Sequence, residues 1–368
     1  MIACTSQKES YTQEQLYEKM SSGVVLVQNT YYYNVYNKKK GSTYTLFTKN
    51  EYTCHKTSLY DSNKSDSIKA NCRNTIFGTG FLLNNKWTVV TNSHVVNPQI
   101  DTIQLYNAIK TYLIDDVKEY TKLLEINQRY KTFYTERLAS YKNLPDHIYS
   151  QYKEHINEFD KGIRLYERLI SDALKELQDK NFEKNYEVHI NAQIKIAFNG
   201  SKITSDKDFI YGFVLKDVPN YDLGIILTGS KGYDEYADSE YLKNRYIFKL
   251  SNETNKNNEE IKLYMIGFNR GPNLAITDEG IKSQITQGYI SQNTDSIKMM
   301  YSIPALPGSS GSPVVNQYGE LVAINFAGIS TTQGFNYGIK AERLKEILDD
   351  ANIQELIYIE ENNKNDKQ

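Results

Sequence analysis

Residues 307–313 read Pro-Gly-Ser-Ser-Gly-Ser-Pro, with Val314-Val315 directly after them. Two glycines flank Ser310 in a tight loop ahead of an apolar strand. A serine hydroxyl is a weak nucleophile and needs a base for its proton. It also needs donors for the oxyanion that forms on an attacked carbonyl. A glycine two residues before the serine lets the backbone turn two N–H groups the same way. The sequence offers a base in His94, within Val90-Thr91-Asn92-Ser93-His94-Val95-Val96, at the end of an apolar strand. It offers an orienting acid in Asp222, within Asn220-Tyr221-Asp222-Leu223-Gly224-Ile225-Ile226. An aspartate just before an apolar strand is expected at the buried lip of that strand, where it can fix a histidine tautomer.

The chain order His94, Asp222, Ser310 is one of three unrelated orders in which such triads occur. Further blocks surround it: Gly78-Thr79-Gly80-Phe81, Ile266-Gly267-Phe268, Ser283–Ile290 (SQITQGYI), Ala323-Ile324-Asn325 and Asn336-Tyr337-Gly338-Ile339. With these motifs the chain resembles the chymotrypsin-fold (trypsin-like) serine proteases, closest to the bacterial HtrA/Deg protease domain and its V8-like relatives. The resemblance covers residues 20–100 and 186–348. It implies a mainly β fold of two six-stranded β-barrels, with His94 and Asp222 from the first and Ser310 from the second. It also implies an oxyanion hole made by the N–H groups of Gly308 and Ser310. Two departures stand out, Ser312 where Gly is usual and Gly224 where Ala is usual. No PDZ domain is expected after the last helix.

The same resemblance places the base of the substrate pocket at Pro304, with Asn325, Phe326 and Ala327 beside it. No acid stands at Pro304 and no His at Asn325, which speaks against Arg/Lys or Glu preference. Together with Ile303 and Leu306 these residues suggest a small or aliphatic residue before the cleaved bond.

His94 and Asp222 lie 128 positions apart, because residues 101–185 have a different character. Apolar residues over 147–180 are spaced alternately three and four, from Tyr149 and Tyr152 to Ala173 and Leu177, which is a heptad seam. Residues 104–142 carry a looser version, with Ile109, Leu113, Val117 and Tyr134. Pro145 marks the break between them. Two antiparallel helices, a long coiled-coil hairpin inserted into the β fold, are expected. The other expected divisions are a tail and short helix over 1–22, the first barrel over 23–100 and 186–230, the second barrel with a C-terminal helix over 231–350, and a polar tail over 351–368. Within the first barrel, 28–72 reads as a long Tyr-rich surface excursion with room for one β-hairpin. Its Lys38-Lys39-Lys40 run reads as a solvated tip.

Composition excludes several classes. The 368 residues carry a net charge of −2, so an electrostatic nucleic-acid binder is not expected. No apolar run reaches the roughly 18 residues that span a bilayer. The other histidines, His55, His147, His155 and His189, lack metal-ligand spacing, so neither a metal nor a cofactor is expected. Cys54 and Cys72 either close one disulfide loop or are two free thiols. Cys4, in Met1-Ile2-Ala3-Cys4-Thr5-Ser6, resembles the lipidated cysteine of a bacterial lipoprotein signal, without the basic and apolar regions that should precede it. A lipid anchor there is the one membrane link expected. It favours the bacterial cell envelope or periplasm, the alternative being the cytoplasm.

The expected activity is that of a serine endopeptidase working through an acyl-enzyme on unfolded or partner proteins. The alternative is a catalytically silent protease fold whose hairpin binds a protein partner. Of the 31 tyrosines, 16 lie in 28–72 and 101–185.

Overall fold

The computed structural model describes residues 10–46, 73–84, 88–141, 144–228, 244–250, 261–292, 295–328 and 334–350. Cys4, Cys54 and Cys72 lie outside the described residues. The chain divides into two compact units, one of residues 1–31, 74–99 and 190–368, the other of residues 32–73 and 100–189.

The first unit opens with α1 (Gln13–Met20), capped by a reciprocal pair in which Thr12 and Gln15 bond each other's backbone N–H. Leu16 and Met20 are fully buried on its inner face, as the sequence spacing requires. Then follow β1 (Val24–Asn37), β2 (Ser42–Leu46), β3 (Asn74–Leu82), β4 (Thr88–Thr91) and a one-turn helix α2 (Ser93–Val96). Two long helices, α3 (Thr102–Ser140) and α4 (Asp146–Leu177), interrupt the strands. The strands resume as β5 (Tyr186–Phe198), β6 (Ile210–Val218) and β7 (Leu223–Thr228). The order β1-β3-β4-β7-β6-β5, with β1 also pairing with β5, makes the first six-stranded barrel.

After it come β8 (Lys262–Gly267), a short turn of helix α5 (Pro272–Ala275), the small pair β9 (Ile276–Thr277) and β10 (Gly280–Ile281), then β11 (Gln284–Gln292) and β12 (Lys298–Tyr301). The chain closes with β13 (Pro313–Asn316), β14 (Leu321–Gly328), β15 (Asn336–Lys340) and α6 (Ala341–Leu348). Strands β8-β11-β12-β15-β14-β13 form the second closed barrel. The architecture is the expected double barrel with a helical insertion.

Alternation along the strands explains why their sequences are apolar on both faces. In β1, Val25 and Val27 join a cluster of first-barrel residues with Val89, Ile196 and Ile226. Val24 and Leu26 face the other way, into a cluster that includes Tyr264, Ile266 and Ile324 of the second barrel. Leu263 and Met265 likewise belong to a cluster of the second barrel alone. The barrels therefore share one core and each keeps its own.

In the second unit, α3 and α4 are 39 and 32 residues, so about 58 and 48 Å long. Tyr120 stacks on Tyr166 at 6.2 Å, Tyr130 on Phe159 at 5.5 Å, and Tyr134 meets Tyr152 at 5.4 Å. Partner numbers fall as α3 numbers rise, so the helices run antiparallel along the expected seam. Tyr141 and Tyr149 fall off the seam, at 50% and 45% exposed. Leu105, Ile109 and Leu113 of α3 instead pack with Val35, Phe182 and Tyr186.

Two expectations are sharpened. The excursion holds one hairpin, in which Tyr33–Asn37 pair with β2, whereas Gln28–Tyr31 are barrel strand, paired with β3, rather than loop. The burial of Tyr33, Val35 and Asn37 alternates with half-exposed neighbours, a strand period carried by Tyr and Asn rather than by aliphatics. Lys38-Lys39-Lys40 is the exposed turn tip expected, but its three cations are partnered. Lys38 lies 3.5 Å from Glu187, Lys39 bonds Asp179, and Lys40 bonds the buried Glu176. Glu176 also accepts from Asn37 Nδ2 at 2.6 Å and from the Tyr186 hydroxyl.

Lys39, with help from Asn181 N–H and Asn185 Nδ2, lowers the Asp179 carboxyl from its ordinary 3.8 to about 2. A folded-state pKa below the unfolded one stabilises the fold above the unfolded pKa and is lost as pH falls through the folded one. The stability gap between wild type and Asp179→Asn should thus be constant from pH 7 to about 4 and close between about 4 and 2. Chemical denaturation followed by helix circular dichroism at each pH measures it, and a gap unchanged at pH 2 would refute the assignment.

Candidate active site

The register of β4 on β7 sets Thr91 opposite Gly224, which brings the segments after Thr91 and before Gly224 side by side. His94 is carried by α2 rather than by the end of the strand itself, because the chain turns helical at Ser93. Asp222 ends the turn Pro219–Tyr221 in the left-handed region, at φ 50° and ψ 43°. Non-glycine residues adopt this region seldom, Asp and Asn most readily, and such residues gather at functional sites.

Asp222 Oδ2 lies 2.8 Å from His94 Nδ1, and Oδ1 lies 3.1 Å from it. Oδ1 also accepts the His94 backbone N–H at 3.0 Å. A carboxylate only accepts, so the proton is placed on Nδ1 and Nε2 is left with its lone pair. The pair is open to solvent, with side chains 42% and 21% exposed, so a bound substrate can cover it.

Two asparagines hold this segment. Asn92 Nδ2 donates to the Asp222 carbonyl at 2.9 Å. Asn29, fully buried on β1, donates to the carbonyls of Val95 and Val96 at 2.8 and 3.1 Å, satisfying the open end of α2. Gly224 has no room for the usual Ala, since a Cβ there would lie 2.8 Å from Val96 Cγ2.

The Ser310 loop is shaped by Gly308 at φ +98° and Gly311 at φ +88°. Its backbone N–H groups divide into two sets. Ser309 N–H donates to Leu306, Gly311 N–H to Asn325 and Ser312 N–H to Ser309. Gly308 and Ser310 N–H donate to no group among the described residues. These are the two N–H groups expected to serve an oxyanion. Thr79, fully buried, bonds the Gly308 carbonyl at 2.9 Å and accepts Phe268 N–H at 2.9 Å, so it ties the loop to both barrels.

Ser310 comes close to the His94 segment through Gly78. A Cβ on Gly78 would lie 2.7 Å from Val95 and 3.1 Å from the Ser310 carbonyl. Thr79 N–H also donates to that carbonyl at 2.7 Å. Ser310 Oγ makes no hydrogen bond to His94. His94 and Asp222 are thus joined directly, while Ser310 Oγ bonds neither of them.

The expected pocket residues fall in different places. Pro304 is exposed, and its carbonyl accepts from Thr286. Asn325 is 2% exposed and turned inward, accepting from the Tyr301 hydroxyl at 2.8 Å and donating to Ser309 at 3.0 Å. Its role is to brace the Ser310 loop. Phe326 is half-buried against Tyr337, and the Ala327 backbone pairs with Tyr337. Past Ile324, β14 leaves β13 and keeps β15 on one side only, so Phe326–Gly328 present an edge without a strand partner among the described residues. The roles of Asn29 and Thr79 escaped sequence reasoning. Thr79 lies within the motif Gly78-Thr79-Gly80-Phe81, and Asn29 gives no signal beyond a polar residue following an apolar run.

Among the described residues no cluster of His, Cys, Asp or Glu could hold a metal ion. No helix among them is long and apolar enough to cross a membrane.

Residues 183–324 match the family described as trypsin-like peptidase domain, a stretch that takes in Asp222 and Ser310. No curated protein matches the chain. Solved structures that match include a serine endoprotease from Yersinia pestis, at 12% identity and a TM-score of 0.42, covering 93% of this chain and 66% of that one. The chain thus spans just under two thirds of that protein's length.

Proposed function

We propose that this chain, which has the trypsin-like serine protease fold, is a serine endopeptidase. Ser310 attacks the peptide carbonyl while His94 Nε2 takes its proton. Asp222 holds the imidazole by Nδ1 and offsets the charge that it gains. The N–H groups of Gly308 and Ser310 receive the oxyanion. His94 then returns the proton to the leaving amine, and water attacks the acyl-enzyme by the same route in reverse. The observation that carries this reading is the pairing of a bidentate His94–Asp222 contact with two unused N–H groups, those of Gly308 and of Ser310 itself.

Substrates are unfolded or partner proteins, taken as extended segments along the open edge of β14. A small or aliphatic residue before the cleaved bond remains the preferred fit. A place in the bacterial envelope, a lipid on Cys4 and a Cys54–Cys72 disulfide belong to the same proposal, as does a protein partner at the helical hairpin.

A fluorophosphonate probe tests the chemistry, because it reacts with an activated serine and mimics the tetrahedral centre. Covalent labelling of the folded protein at Ser310, lost in Ser310→Ala, is the expected result. Folded wild type that takes no label would favour a silent protease fold.

A further inference from the structure

We propose that Lys298 forms a subsite for an acidic side chain of the bound peptide, an inference that rests on the peptidase reading above. Lys298 begins β12, on the barrel face that also carries Phe326 and Tyr337. Its ammonium lies over the Phe326 ring, 5.1 Å from the centroid. This contact parks the flexible side chain beside the aromatic surface. The ammonium has no carboxylate at salt-bridge distance and no hydrogen bond among the described residues. Asp295, one turn before it, accepts the backbone N–H groups of Ile297 and Lys298, both at 2.7 Å. Lys340 Nζ bonds the Asp295 carbonyl at 2.6 Å, so two cations and one acid leave this patch positive.

The patch adjoins the reacting serine through the backbone. Gly311, next to Ser310, donates to the Asn325 carbonyl at 2.7 Å, and Phe326 follows Asn325. A peptide added along Phe326–Gly328 passes the Phe326 ring, and a side chain at that point meets the ammonium above it. A Glu or Asp there gains an ion pair. A Lys or Arg there meets like charge, which suppresses the wrong sequence as much as the pair favours the right one. Neither Pro304 nor Asn325 supplies a charge near the serine, so Lys298 sets the charge preference at this end of the cleft. The gain is modest and screened by salt, because the pair is half in water.

Full-length protein should be incubated with a proteome-derived peptide library, and the cleavage sites read by mass spectrometry. Wild type is expected to enrich Asp and Glu about three- to fivefold at one fixed position relative to the cut. The enrichment should shrink in 0.5 M salt, vanish in Lys298→Ala and turn toward Lys and Arg in Lys298→Glu. Fluorophosphonate labelling of each variant shows that it is folded and its serine intact. Cleavage by wild type with no acidic enrichment, or with enrichment unchanged in Lys298→Ala, overturns the subsite and leaves the peptidase reading standing. Wild type that neither labels nor cleaves overturns both.

Discussion

Replacing Ser310 by Ala is expected to lower kcat by at least about 10⁴-fold, and Asp222→Asn by about 10⁴-fold, with the fold intact in both. The first change removes the attacking oxygen. The second is subtler, because Asp222 has two tasks. Its Oδ1 accepts the His94 backbone N–H, and both oxygens face Nδ1. An Asn can keep the first bond through its carbonyl. Its NH₂ then points at Nδ1 and forces the imidazole to carry its proton on Nε2, where it cannot accept from serine. Rates with a casein-type substrate, alongside unfolding temperatures, measure the effect. Asp222→Asn within tenfold of wild type would refute the assigned role.

Gly311→Ala is expected to destabilise the protein by more than about 3 kcal/mol, through two separate causes. The residue sits at φ +88°, where a side chain is strained. A Cβ would also lie 2.0 Å from the Thr79 carbonyl oxygen and 2.4 Å from Thr91 Oγ1. Neither atom can retreat, since Thr91 Oγ1 donates to that same carbonyl at 2.7 Å. Gly200 separates the two causes, because it has φ +85° with nothing within 4 Å of a Cβ. Gly200→Ala should lose only about 1 kcal/mol. Denaturant titration of both variants decides, and equal losses would show that the clash at Gly311 is relieved at little cost.

The parts of this molecule legible from sequence are those written in local signals. The Ser310 loop, the segments around His94 and Asp222, and the heptad spacing of α3 and α4 each announce themselves within a few residues. What escaped was decided by distant partners. Lys38, Lys39 and Lys40 look like any exposed cation run until α4 and the start of β5 bring Glu176, Asp179 and Glu187 to them. The outer half of β1 hides its strand period because buried Asn37 and Tyr33 stand where aliphatics are usual. Asn325 has a motif position that suggests a pocket wall, yet its amide is taken up by Tyr301 and Ser309, a pairing that only the closed second barrel creates.

The division of the chain into two interleaved units also sets an order of maturation on the ribosome. Every residue of the second unit has been made once His189 is joined, and its helices meet through pairs such as Tyr134–Tyr152 and Tyr130–Phe159, nearer in sequence than the pairings that close the first barrel. The first barrel must wait for β7, whose Gly224 pairs with Thr91, and the second barrel only begins with Lys262. Pairings that far apart close slowly. A nascent chain therefore displays its helical hairpin before Ser310 exists, and any companion that recognises the hairpin has access to it before the second barrel is made.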